Sequence, residues 1–463
     1  MPHLRPKIIR FEGPCTNCEY KQNCAPYLEL REHLFSHAKF RRTPIATPLD
    51  AALDETVSQY VASLRTLDSQ GLISAGTLGT ALSALVDLCI TGVYTNGLVD
   101  NSAEFLQRGV RCGTETVVFP YTWMCPLCVA AGRPKSECYL PSARRESKAA
   151  GARDYPQVEW LAKPGGRAIG DQGIQVVKAL LRATLAASNS GARLRDGGGA
   201  RGEFDLTVAT DDLLAFIEVK AKPLIAYPLV IKTAAALSEP TTRHDWTDVS
   251  MSKVEELSLF LGATQTSLAL SVPSKKTIST WPLTDLARAV SNPATVANIV
   301  ANWAQHAEAY TQWNNEPDRL RWHRFGCGNY RCTEDGIRVE KRVANTKELP
   351  GLDRTDDIKK GAAQVLKYSR LKFQCKRHAL RAVLLGNTHA LTHHDDYVSP
   401  LLHLKVIEAS GQADQAEWIF DAMIGLTQNH FNATDLEAVF AFENLLKEPT
   451  PGNEKDLSPG GRG

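Results

Sequence analysis

Residues 202–222, G-E-F-D-L-T-V-A-T-D-D-L-L-A-F-I-E-V-K-A-K, constrain this chain more than any other stretch. Residues 203–208 alternate polar and apolar, the period-two mark of a half-buried strand, and Thr210-Asp211-Asp212 forms a polar turn. Residues 213–219 then read as a second, more apolar strand. Side chains two apart on a strand share a face, so Glu218 and Lys220 project together, and hairpin pairing brings Asp205 beside them. Two carboxylates held that close are costly unless a cation neutralises them, which suits a hard divalent ion such as Mg²⁺. A solvated hairpin with a surface ion pair is the plainer alternative. Glu203 is the substitute acid if Asp205 points away.

Asp205, a dozen intervening residues, and then Glu218-Val219-Lys220 resemble the motif of the PD-(D/E)xK nuclease superfamily, with Glu203-Phe204 rather than proline before the first acid. The resemblance implies an α/β fold with a restriction-endonuclease-like mixed-sheet core. In it Asp205 and Glu218 hold Mg²⁺, and Lys220 positions or activates water. A helix expected over residues 169–187 carries Asp171 and Gln172 where some members lend a further acid; a helix N-terminal charge explains Asp171 equally well. Gln364 and Tyr368, on a helix expected over residues 356–371, resemble the Q-x3-Y motif of RecB-like nucleases, although roughly 140 residues separate them from Lys220. Either residues 223–355 contain an inserted module, or Gln364 belongs to a separate DNA-binding domain.

The implied function is a Mg²⁺-dependent endonuclease cutting double-stranded DNA, most like a type II restriction enzyme. A homodimer and a separately encoded cognate DNA methyltransferase are the implied partners. Two alternatives stay open. One is a RecB- or Cas4-like iron–sulfur nuclease that processes DNA, and the other is a non-enzymatic zinc protein that binds nucleic acid.

The 463 residues exceed one ordinary core, and composition shifts divide them. The expected parts are a cysteine-rich segment over 1–45, a helical region with a zinc-ribbon-like module over 46–150, and the nuclease core over 151–290. A basic, mostly helical region follows over 291–447, and a disordered tail over 448–463. Cys15, Cys18 and Cys24 form C-x2-C-x5-C, suited to zinc or an iron–sulfur cluster once a fourth ligand joins. Cys112, Cys125, Cys128 and Cys138 form C-x12-C-x2-C-x9-C, a closed tetrahedral thiolate set for Zn²⁺. Cys89 lies on an apolar helical stretch and reads as core.

A net charge of only +2 makes any nucleic-acid surface a local patch. Residues 319–381 supply one, with Arg321, Arg324 and Arg331 among aromatic side chains suited to phosphate contacts and stacking. Cys327 and Cys332 with Cys375 and His378 are a candidate third metal site, and His393-His394-Asp395-Asp396 reads as a polar loop rather than as a metal tract. The most apolar run, residues 78–94, is short and contains Asp87, so a cytoplasmic protein without membrane contact is expected. Helices are also expected over 252–261 and 412–446, and a strand over 266–272.

Overall fold

The computed structural model describes residues 7–11, 47–119, 125–133, 166–188, 191–196, 204–210, 212–236, 246–312, 320, 323–325, 331–333, 336–338, 349–374, 379–408, 412 and 416–447. Strand β1 (Lys7–Phe11) precedes two long helices, α1 (Pro48–Ser69) and α2 (Ala75–Asn96), and strands β2 (Phe105–Arg111) and β3 (Thr116–Phe119). Helix α3 (Gly166–Ser188) leads into β4 (Arg193–Asp196), β5 (Leu206–Ala209) and β6 (Leu213–Lys220). Strands β7 (Leu229–Thr233), β8 (Trp246–Ser250), β9 (Val254–Leu261) and β10 (Thr266–Leu270) follow, then helices α4 (Leu283–Val290) and α5 (Pro293–Thr311). A small hairpin, β11 (Arg331–Thr333) and β12 (Gly336–Arg338), comes before helix α6 (Thr355–Gln374) and β13 (Ala379–Gly386). The last strands are β14 (Leu404–Glu408), β15 (Glu417–Trp418), β16 (Ala422–Gly425) and β17 (Gln428–Phe431).

The result is a mixed α/β fold with several sheets. One six-stranded sheet runs β17-β16-β13-β6-β5-β4. Its centre is β6, paired parallel with β13 and antiparallel with β5. Leu213 to Val219 are all buried because both faces of β6 are covered. Leu213, Ala215, Ile217 and Val219 join the core that includes Val176 and Leu180 of α3, while Leu214 and Phe216 join the one that includes Ile358 and Val365 of α6. Alternation along one strand therefore feeds two cores, and it places Glu218 and Lys220 on the α6 side.

The second six-stranded sheet, β10-β9-β7-β3-β2-β8, is antiparallel throughout. It pairs residues 105–119 with residues 229–270, while the first sheet joins residues 193–220 to residues 379–386 and 422–431. Sheet pairing thus crosses the borders expected at residues 150 and 290.

Two local expectations are corrected. Residues 252–261 are not a helix: a 3-10 turn, Met251–Lys253, runs into β9, where Leu257, Leu259 and Leu261 are buried while Glu255 and Glu256 are exposed. That period of two, with β7 and β10 pairing on both sides, overrides the helix propensity of the leucines and glutamates. Residues 412–446 hold β15, β16 and β17 before short helical turns, because Ala422–Gly425 is a wholly buried strand laid parallel to β13. At the start of α1, Thr47 and Asp50 form a capping box, with Pro48 in the first turn.

Helix α2 is long and apolar enough to cross a membrane by length and composition, yet 78% of its most apolar window is buried inside the protein. It packs against α1, α3, α4 and α5 as a core helix, and Cys89 is buried within it.

Candidate functional site

The candidate centre grows out of the β5–β6 hairpin. Leu206 faces Ile217 across the ladder, and the backbone N–H of Asp205 donates to Ile217 O at 3.0 Å, so Asp205 stands across from Glu218. The Asp205 carboxylate accepts from Val219 N at 2.8 Å. Lys220 Nζ donates to Glu218 Oε1, and both side chains are mostly buried. The three motif residues are therefore together, at the carboxyl end of the central strand. Burial raises the Asp205 pKa; the Val219 N–H and the Lys220 ammonium pull it back down, and Asp171 pushes it up. That last influence brings Asp171 of α3 within electrostatic reach of the hairpin, although its carboxylate is mostly exposed and pairs with Arg167 at 3.9 Å.

The approach of α3 depends on Gly173. A Cβ there would come within 2.5 Å of Ala221 O, so only glycine lets the helix reach the end of β6. One residue before it, Gln172 Oε1 is buried without a hydrogen-bond partner among the described residues. On the opposite face α6 lies on β6 and β13, with Gly361 close against Leu384, and Gln364 is half-buried one turn further along. Tyr368 lies on the same helix, but its side chain is outside the described residues.

Asp87, which the sequence marked only as an interruption of an apolar run, is the residue that ties this region together. Its carboxylate, wholly buried on α2, accepts from Leu224 N at 2.9 Å, Ile225 N at 3.3 Å, Trp303 Nε1 at 2.9 Å and Asn387 Nδ2 at 2.7 Å. The first two follow β6 and the last follows β13, so one carboxylate fixes the exits of both parallel strands. Burial pushes its pKa up to about 7 in spite of these four donors. Lys222 adds a second tie: its buried Nζ donates to Leu349 O at 2.9 Å, and its carbonyl accepts from Gly351 N at 3.0 Å.

A second centre lies where β2 turns into β3. Cys112 follows β2, and its N–H donates to Thr116 O at 2.7 Å; Cys125 is the N-cap of the single helical turn Pro126–Ala130, and Cys128 lies within that turn. The sulfurs of Cys112, Cys125 and Cys128 all lie within 4.8 Å of one another, with Cys125 to Cys112 at 3.4 Å and Cys112 to Cys128 at 3.8 Å. The Cys112 sulfur and burial drive the Cys125 thiol well above its ordinary value. Cys112 is pushed up to about 12; the hydrogen bond from Cys125 lowers it, and Cys128 together with burial outweighs that. Three thiols, Cys125 and Cys128 buried and Cys112 half-buried, crowd on one point and form a soft donor set that can coordinate a metal ion, and the set fits Zn²⁺ or an iron–sulfur cluster. Among the described residues it is the only group of three His, Cys, Asp or Glu side chains so placed.

Cys15, Cys18, Cys24, Cys138, Glu203 and Arg321 lie outside the described residues, as do Cys327, Cys375 and His378. Arg331 begins β11, with its side chain outside them. Arg324 is 3% exposed, lies 5.0 Å over the Tyr310 ring and bridges to Ile225 through its backbone. Compared with known proteins, the chain matches no family model, no curated protein and no solved structure.

Proposed function

We propose that this chain is a metal-stabilised nucleic-acid protein whose β5–β6 hairpin hydrolyses phosphodiester bonds of double-stranded DNA with Mg²⁺. The observation that carries the hydrolytic part is Asp205 across from Glu218, with Lys220 paired to Glu218, at the end of a strand enclosed by α3 and α6. The order α3, three antiparallel strands β4–β6, α6 and parallel β13 supports a PD-(D/E)xK core interrupted by an insertion after Lys222.

The oxygen donors of Asp205 and Glu218 fit a hard cation, and Mg²⁺ bound there would supply Lewis-acid stabilisation of charge on the phosphoryl oxygens. Asp205, already oriented by the Val219 N–H, would keep one carboxylate oxygen for the ion. Glu218 would exchange part of its pairing with Lys220 for the cation, freeing the ammonium to orient an attacking water. A homodimer acting on a palindromic site, in the cytoplasm beside a cognate methyltransferase, completes the restriction-enzyme form of the proposal.

The thiol cluster favours a second reading, a non-enzymatic zinc-dependent nucleic-acid-binding protein. Its metal site has the closer geometric support, since three ligands already converge there whereas Lys220 neutralises Glu218. Metal analysis combined with DNA retention and cleavage separates the readings. About one zinc at the thiols, with Mg²⁺-dependent strand scission, is the expected result; zinc with DNA retention and no scission leaves the binding protein. A brown, iron-containing preparation points to the iron–sulfur nuclease instead.

A further inference from the structure

A buried carboxylate and a half-buried imidazole meet beyond the ends of the two parallel strands. Gly386 pairs with Lys220 across the β6–β13 ladder, so the two positions face the same side of the sheet, the α6 side. A Cβ on Gly386 would meet Leu352 Cγ at 2.7 Å, and Leu352 N donates to Thr388 O at 3.2 Å. The 3-10 turn Gly351–Asp353 therefore lies over the carboxyl end of β13, on the face that carries Glu218 and Lys220. Open α/β sheets commonly bind ligands at this edge.

Asp353 ends that turn, and its side chain is wholly buried. Its Oδ1 accepts from Thr392 N at 2.9 Å and from His393 N at 2.8 Å. Its Oδ2 accepts from Thr392 Oγ1 at 2.6 Å and from the Tyr310 hydroxyl. Burial, and then Asp353 itself, raises the pKa of that hydroxyl well above the ordinary tyrosine value and keeps it a donor. Four donors from three residues thus hold the carboxylate as a fixed acceptor.

That acceptor sets the tautomer of His393. The ring Nδ1 lies 3.2 Å from Asp353 Oδ1 and 2.9 Å from Thr392 Oγ1. The Thr392 hydroxyl already gives its proton to Asp353 Oδ2, so both neighbours of Nδ1 can only accept. Nδ1 must then carry the proton, and Nε2 keeps the lone pair. Among the described residues nothing bonds to Nε2, and the side chain is 30% exposed. A carboxylate on one ring nitrogen with the other left open suits a histidine that takes up a proton, because the carboxylate stabilises the imidazolium that forms. The ring meets Tyr397 edge-on, with centroids 5.8 Å apart, and Lys359 Nζ of α6 lies 5.7 Å from the Tyr397 ring centre, so a cation suited to phosphate stands nearby.

We propose that His393, oriented by Asp353, is the general base of the hydrolysis assigned to the β5–β6 hairpin, an inference that rests on that reading. Asp205 and Glu218 are given to the ion there, and Lys220 is an ammonium that can only donate, so the reaction still needs an acceptor for the proton of the attacking water. His393 Nε2 takes that proton, directly or through one bridging water, as the water oxygen bonds to phosphorus and the bond from phosphorus to the leaving oxygen breaks. The imidazolium, paired with Asp353, then releases the proton to solvent, and solvent protonates the leaving oxygen.

Cleavage of supercoiled plasmid with Mg²⁺ by the full chain, beside His393→Ala, tests the role. The variant is expected to lose about 100-fold or more in rate. Because the side chain is partly exposed, it should keep wild-type DNA retention and far-ultraviolet circular dichroism. Imidazole added to the buffer should restore part of the lost rate, which it would not do for a side chain that only braces the loop. His403→Ala should cleave as the wild type does. A His393→Ala rate equal to the wild type's, or a loss that imidazole leaves untouched, overturns the role and leaves the hydrolytic reading standing; a wild type that cuts nothing overturns both. Independently of cleavage, two-bond proton–nitrogen NMR correlations should show the neutral His393 ring protonated on Nδ1, and an Nε2–H tautomer overturns the assignment.

Discussion

At the residue scale, Asp87 shows how far one buried carboxylate organises the molecule. Burial sets its folded-state pKa at about 7, against about 3.9 for an aspartate in an unfolded chain. Between those values the folded protein keeps a proton that the unfolded chain has released, so this group's contribution to stability falls as pH rises from about 4 to about 7. Asp87→Asn removes that titration. It also leaves donors among Leu224, Ile225, Trp303 and Asn387 unmatched, at a cost of about 1–3 kcal/mol. Denaturant melts should therefore show a less stable variant whose deficit shrinks from about pH 5 to about pH 8; a deficit that grows over that range would contradict the assignment. Asp205, Glu218 and Lys220 were legible because strand periodicity puts them on the hairpin at fixed offsets. Asp87 was not, because its four partners lie up to 300 residues away in sequence, and alternation within α2 says nothing of what faces it.

At the scale of elements, close approach decides how α3 meets the motif strand. Gly173→Ala gains about 1 kcal/mol of helix propensity but drives a Cβ to within 2.5 Å of the Ala221 carbonyl, a backbone atom that cannot rotate away. Overpacking of that kind costs about 1–3 kcal/mol, so the substitution should lower Tm; an unchanged or raised Tm would show that α3 can shift. The thiol cluster makes a parallel case. Cys112→Ser removes one of the three converging sulfurs, and the variant should lose its stoichiometric zinc and melt earlier than the holoprotein, as should wild type treated with a chelator. The spacing of Cys112, Cys125 and Cys128 made that cluster readable. Residues 252–261 and 412–446 were misread as helices because β9, β16 and β17 owe their conformation to distant partners, and propensity is a weak guide where pairing decides.

At the scale of the whole molecule, the two large sheets are assembled from segments far apart in the chain. The N-terminal half contributes β2 and β3 to one sheet and β4 to β6 to the other, and the second half completes both. A fragment ending near residue 290 would lose α5, α6, β13, β16 and β17, uncovering one face and one edge of β6. Such a fragment should be insoluble or lack cooperative unfolding, and a soluble, cooperatively folded fragment would argue for independent domains. Composition marked soft borders at 150 and 290, yet no local signal reveals that strands on either side of a border share a ladder. The same assembly brings the hairpin and α6 into one body around the proposed catalytic centre. Cleavage of large plasmids by the intact chain, beside Glu218→Ala and Lys220→Ala, tests that centre most directly. Mg²⁺-dependent discrete fragments are expected from the intact chain and none from either folded variant; equal cleavage by all three, or none by the intact chain on DNA it binds, would contradict that assignment.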